Sequence, residues 1–133
     1  MIQTIEWLDL ETVVTFHDKV IAEHGGLAGI RDLHILESAL ARPQNLHHYK
    51  HLTLPELAAI YASSIIRNHP FHDANKRTGH MCMRIFLRLN DISFVFDPTQ
   101  IIKTLVDVAA GTINEDEFVA FVTNHCYVAN TIN

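Results

Sequence analysis

The chain has 133 residues, 48% hydrophobic and 19% charged, with a formal net charge of −5 at pH 7. That balance fits one domain over residues 1–133 with a real core, and it excludes a disordered chain. The acidic surplus excludes a whole-surface nucleic-acid binder, so no direct nucleic-acid binding is expected and any basic patch must be local.

Two cysteines, Cys82 and Cys126, sit among helix-like neighbours, which points to reduced core thiols rather than a disulfide framework. The first ten residues include Glu6 and Asp9 and show neither a signal peptide nor a membrane span, so a cytoplasmic protein is expected. Residues 7–24 carry helical apolar spacing through Leu10, Val13, Val14, Val20 and Ile21, and Gly25-Gly26 stops them. Asp32 caps a short helix over 33–41 that is expected to end at Arg42-Pro43. The polar, histidine-rich stretch 44–52 then reads as a loop or small flap. Thr53-Leu54-Pro55-Glu56 is a capping box that opens a helix over 54–68, closed by Pro70. Another helix spans 75–89, a short extended piece spans 92–96, and Asp97-Pro98 starts a helix that Gly111 ends. Asn114 and Glu117 cap the last, which buries Phe118, Phe121 and Val122. No strand–helix alternation or repeat occurs, and the expected fold is a single compact all-α bundle.

The run His69-Pro70-Phe71-His72-Asp73-Ala74-Asn75-Lys76-Arg77 joins two of these helices. Lys76 and Arg77 fall in the first helical turn, where the positive end of the dipole and unpaired N–H groups normally favour acids. A local rule broken this way points to a bound anion, held by amides and cations together. Arg77, His80, Arg84 and Arg88 recur three or four apart on the same helix and share a face. His69, before a proline, is expected in extended backbone, and its imidazole can take a proton from a hydroxyl near neutral pH. Asp73 is either a helix N-cap or a magnesium ligand, since that ion takes few protein carboxylates and shares phosphate oxygens. Phe71 is expected to pack in the core. The parts together suit phosphoryl or nucleotidyl transfer, which asks the protein mainly for positioning and charge stabilisation.

The run resembles the Fic/Doc signature H-x-F-x-[D/E]-[G/A]-N-[G/K]-R, with the Doc-type lysine at Lys76. Phe16-His17-Asp18, Gly25-Gly26, Gly29-Ile30-Arg31-Asp32 and 36–43 resemble the death-on-curing branch of that family, so the likeness covers nearly the whole chain. The resemblance implies a Doc-like toxin of a type II toxin–antitoxin pair that uses ATP and Mg2+. It implies His69 as general base, Asp73 as Mg2+ ligand, and Ala74, Asn75, Lys76, Arg77 and His80 at the nucleotide phosphates. Lys76 implies a reversed nucleotide, with transfer of the γ-phosphoryl group to a hydroxyl of elongation factor Tu and arrest of translation. AMP transfer to a protein hydroxyl is the alternative, and His80 stands where AMP-transferring members have a second arginine. The 44–52 flap, through His48 and Tyr49, is expected to meet an extended target peptide. No Ser/Thr-x-x-x-Glu inhibitory pattern occurs, so restraint is expected from a separate antitoxin, Phd-like or other, that folds onto the chain.

Two rival readings are open to a simple test. His17-Asp18 and His72-Asp73 both spell the dipeptide of HD-type metal phosphohydrolases, which need further ligands converging from other helices. A non-catalytic module that binds a nucleotide or a partner would retain the fold without using His69 and Asp73.

Overall fold

Ten successive residues, Leu57 to Ile66, are buried on one helix, α3 (Leu54–Asn68), which places it at the centre of the molecule. The structure is a computed structural model that describes residues 4–128. Around α3 lie α1 (Leu10–His24), α2 (Leu33–Lys50), α4 (Asn75–Leu89), α5 (Pro98–Ala110) and α6 (Glu115–Asn124). Strands β1 (Ile92–Phe94) and β2 (Cys126–Val128) pair antiparallel, with Ile92 opposite Val128 and Phe94 opposite Cys126. The all-α expectation holds, and the extended piece after α4 is present.

Helix α4 presses closely on α3 because Gly79 lets it. A Cβ there would lie 3.0 Å from Ile66 Cγ1 and 3.1 Å from the Ala62 carbonyl. Polar side chains fasten the periphery. Asn90 accepts from the Glu6 N–H at 2.9 Å and donates to the Glu6 and Phe86 carbonyls, so the segment before α1 is latched to the end of α4. The Leu8 N–H donates to the Tyr61 hydroxyl, a phenol pushed up to about 12 by burial. Arg42 of α2 grips both carboxylate oxygens of Glu115 on α6, and the Ser63 hydroxyl of α3 donates to the same carboxylate. Burial pushes Glu115 up, but its hydrogen bonds to Arg42 and Ser63 outweigh that and hold it below the usual range.

Two expectations are corrected. Helix α2 does not stop at Arg42-Pro43; it continues to Lys50 with Pro43 inside it, so no flap exists at 44–52. Pro43 removes one backbone hydrogen bond, but its ring is buried on the same face as Leu36, Ala39 and Leu40, and that packing carries the helix through. His48 and Tyr49 therefore sit in the last turn of α2, with Tyr49 81% exposed. Cys126 lies on β2 rather than in a helix, because α6 ends at Asn124 and the chain turns to pair with β1. Both cysteines are free, as expected.

Candidate active site

The α3–α4 connection is built from two residues in left-handed backbone. His69, at the C-terminal end of α3, has φ 49° and ψ 56° rather than the extended conformation expected before proline. Its N–H still donates to the Ile65 carbonyl at 3.2 Å, so the residue closes the helix instead of leaving it. For a non-glycine residue this costs about 1 kcal/mol or more. Arg31 supplies compensation from the α1–α2 linker: its guanidinium donates to the His69 carbonyl at 2.6 Å and to the Asn68 carbonyl at 3.0 Å. A cation on the last carbonyls of a helix also suits the dipole. The same linker runs beside the loop as a short extended neighbour. Ile30 bridges Phe71 antiparallel, the Arg31 and Asp32 N–H groups reach the Pro70 carbonyl, and the His72 N–H reaches the Gly29 carbonyl. The extended segment beside the motif loop is thus residues 29–32, not 44–52, and it pairs with the loop itself.

Asn75 locks the inside of the loop. Its Oδ1 accepts from the Phe71 N–H at 3.1 Å and its Nδ2 donates to the Phe71 carbonyl at 3.0 Å, which fixes the orientation of the amide. The same Nδ2 lies 3.3 Å from His69 Nδ1. An amide nitrogen can only donate, so Nδ1 is the acceptor and a neutral His69 carries its hydrogen on Nε2. Asn75 is 6% exposed and occupied on both ends. Its side chain orients the loop and His69.

Asp73 is held from three sides. Its Oδ2 accepts from the Leu27 N–H at 3.1 Å and its Oδ1 from the Ala74 N–H at 3.0 Å. Those two amides, with His17 and Lys76 contributing smaller attractions, keep its carboxyl below the usual range. Its backbone carbonyl accepts from His17 Nε2 at 2.9 Å. Gly26 makes room for the carboxylate: its φ is +116°, and a Cβ would fall 2.9 Å from Asp73 Oδ2. One exposed, anionic and fixed carboxylate fits Mg2+ shared with phosphate oxygens and water, an ion that seldom needs an all-protein cage. It does not fit the HD-type arrangement. The two His-Asp pairs meet through a backbone hydrogen bond, and no group of three or more potential ligand side chains occurs among the described residues.

Helix α4 starts at Ala74, in left-handed backbone at φ 63°, with no side chain capping it and no acid in its first turn. Asp73 is therefore not its N-cap. Lys76 and Arg77 are exposed beside the uncapped amides, and both line the mouth of a cleft of about 1320 Å3 that runs along α4 to β1 and α5. His80, Arg84 and Arg88 line the same cleft, so the predicted shared face is present. Arg84 stands 4.9 Å over the Phe96 ring, and His80 meets that ring edge-on. Burial, with Arg84 adding repulsion, pushes His80 down to about 4. His80 is thus a neutral imidazole at pH 7, and its Nε2 is buried without a hydrogen-bond partner among the described residues.

The structure brings His69, Asp73, Ala74, Asn75, Lys76 and Arg77 together around one loop and places His80 one turn further along. His48 and Tyr49 lie on α2, outside that loop. Arg31, Gly26, Leu27 and His17 also reach the loop; the family resemblance included segments with His17, Gly26 and Arg31 but gave them no role, and nothing local signals a contact made across tens of residues.

The profile of the Fic/DOC family matches residues 7–87, a span from before α1 to near the end of α4. The chain is 36% identical over 105 residues to "Protein kinase doc" of Escherichia phage P1, across 78% of this chain and 82% of that protein. It is 30% identical over 132 residues to "Toxin Doc" of Mycolicibacterium smegmatis, across 95% of this chain and 98% of that protein. With the family profile and both relatives in agreement, the chain belongs to the Fic/DOC family.

Proposed function

We propose that this protein is a Doc-like toxin that transfers the γ-phosphoryl group of ATP to a hydroxyl of a protein target, with elongation factor Tu as the candidate target and a separate antitoxin as its restraint. The observation that carries this reading is the start of α4: uncapped amides, Lys76 and Arg77 beside them, and an anionic Asp73 just before the Ala74 cap position. That end is completed by a polyanion rather than by the chain. The names of the two relatives support a kinase and a toxin.

Asp73 would hold Mg2+, which when bound neutralises phosphate charge as it builds in transfer. Lys76, Arg77 and the first amides of α4 hold the phosphates and stabilise the equatorial oxygens. His69 takes the proton of the target hydroxyl. In the described arrangement its Nδ1 lone pair is engaged by Asn75 and its Nε2 carries hydrogen, so the ring must leave Asn75 before it can accept that proton. A ring movement on substrate binding is part of the reading. The cleft along α4 has a basic edge at Arg84 and Arg88 and exposed apolar side chains at Ile102 and Val106. An acidic, amphipathic antitoxin segment that folds on binding would suit it.

The test is the intact mass of elongation factor Tu after incubation with the protein, Mg2+ and ATP. A single-phosphate increment is expected, reduced about 10²- to 10⁴-fold in rate by His69→Ala with an unchanged melting temperature. An AMP increment would assign the usual nucleotide orientation and overturn γ-phosphoryl transfer. No increment on this factor or on any protein of a whole-cell extract would leave a binding module.

A further inference from the structure

His17 belongs to α1, more than fifty residues before the loop it touches, and the proposed chemistry does not use it. It is nonetheless 1% exposed, and its ring stacks on Phe71 at 3.9 Å with an interplanar angle of 6°. Its Nε2 lies 2.9 Å from the Asp73 carbonyl, which can only accept, so the hydrogen sits on Nε2.

What that single bond controls follows from the planarity of the peptide. In a trans peptide the carbonyl of one residue and the N–H of the next point in opposite directions within one plane. Holding the Asp73 oxygen therefore fixes the Ala74 N–H on the opposite side. That N–H is the donor to Asp73 Oδ1, and Ala74 is the left-handed residue from which α4 starts. The other carboxylate oxygen is set by the Leu27 N–H. Rotation of the 73–74 peptide would release Oδ1, change ψ of Asp73 and φ of Ala74, and swing the first amides of α4. The stacked ring prevents the partner from moving: Phe71, 1% exposed, has its own N–H and carbonyl bound by Asn75.

We infer that His17 is a positioning residue for the phosphate-binding loop: its Nε2–H, braced by the stack on Phe71, fixes the 73–74 peptide plane and thereby aims the Asp73 carboxylate and the first amides of α4. This rests on the proposed use of Asp73 and those amides, and the test keeps the two ideas apart. Two variants separate the hydrogen bond from the packing. His17→Phe keeps an aromatic ring on Phe71 and loses the N–H; His17→Gln keeps an amide N–H near the Nε2 position and loses the stack. Three quantities are read on the whole protein: melting temperature, amide hydrogen exchange resolved by residue, and the KM for ATP and kcat of the transfer, with calorimetric binding of ATP and Mg2+ as the measure independent of turnover.

His17→Phe is expected to melt within a few degrees of the native protein. Exchange of the Ala74 N–H should rise about fivefold to tenfold, the factor for one lost hydrogen bond, with the α3 core unchanged. ATP affinity and KM should worsen by a similar factor with a smaller change in kcat, and His17→Gln should restore most of it. Exchange that rises equally throughout the core, with native ATP affinity per folded molecule, would overturn the inference and leave His17 as packing. A glutamine variant no better than the phenylalanine variant would overturn it too. If the native protein transfers nothing, the proposed reaction fails, while exchange and ATP binding still decide the role of His17.

Discussion

Helices α3 and α4 are both 15 residues long and lie against each other, yet they begin in opposite ways. At α3 the Thr53 hydroxyl accepts from the Glu56 N–H, the Glu56 carboxylate accepts from the Thr53 N–H, and Pro55 stands where no N–H is needed. At α4 the corresponding place holds Ala74, which has no side chain to offer, followed by Asn75, Lys76 and Arg77. The first start is finished by its own sequence; the second has no side-chain cap, and the proposed function gives that place to an anion. Asp9, Asp32, Asp97 and Asn114 cap the other helices, which makes α4 the exception among the described helices. Every other described helix start has a side-chain cap, and the proposed site lies at the one that does not.

The comparison can be broken most strongly by giving α4 the cap it lacks. Asp tolerates the left-handed backbone of position 74 better than most residues, and a negative charge there suits the dipole. Ala74→Asp is expected to weaken ATP binding about tenfold or more in calorimetry, because the new carboxylate takes the place of phosphate, while the melting temperature holds or rises slightly. A tight complex in that variant would remove the phosphates from this helix end.

An internal ion pair gives the contrasting case. Glu115→Gln is expected to cost about 1–2 kcal/mol at pH 7 in denaturant unfolding, discounted because Arg42 is partly exposed, with no effect on ATP binding. The sign of its pH dependence is fixed by the lowered carboxyl. Folding stabilises the charged form, so the contribution is complete above the ordinary value of 4.5 and disappears as pH falls through the folded value. The gap between native protein and variant should therefore close below pH 4.5. A gap that persists there would assign the effect to shape rather than charge.

The smallest expected effect sharpens the same contrast. Thr53→Ala should lower stability by about 1 kcal/mol through loss of a cap and leave nucleotide affinity unchanged. The two helix starts would then respond in different currencies, one in melting temperature and the other in binding.

Most helix limits were legible because they are local. Thr53 with Glu56, Asp97 with Pro98 and Asn114 with Glu117 are read from four residues or fewer, and the structure uses all three as caps. The site loop was legible for a related reason: two cations at a helix start are conspicuous wherever they occur. Pro43 misled because its local effect is real, but the buried face it shares with Leu36, Ala39 and Leu40 overrides it. The extended backbone expected of His69 failed likewise, since two guanidinium hydrogen bonds from Arg31 hold the helix end in a conformation that proline alone disfavours. Arg31, Leu27 and His17 act across sequence separations of 38, 46 and 56 residues, and no spacing rule reaches that far.

The latch between Glu6 and Asn90 spans 84 residues. Closing such a loop is only modestly harder than closing a short one, but it cannot happen until both ends exist. During synthesis the segment before α1 must wait for the whole of α4 to leave the ribosome before it can be tied down. Helix α1 carries His17 and leads into the linker that bears Gly26, Leu27 and Arg31, so the braces of the loop are made before the loop they hold. A nascent chain therefore has four of the six described helices before the segment ahead of α1 can be latched.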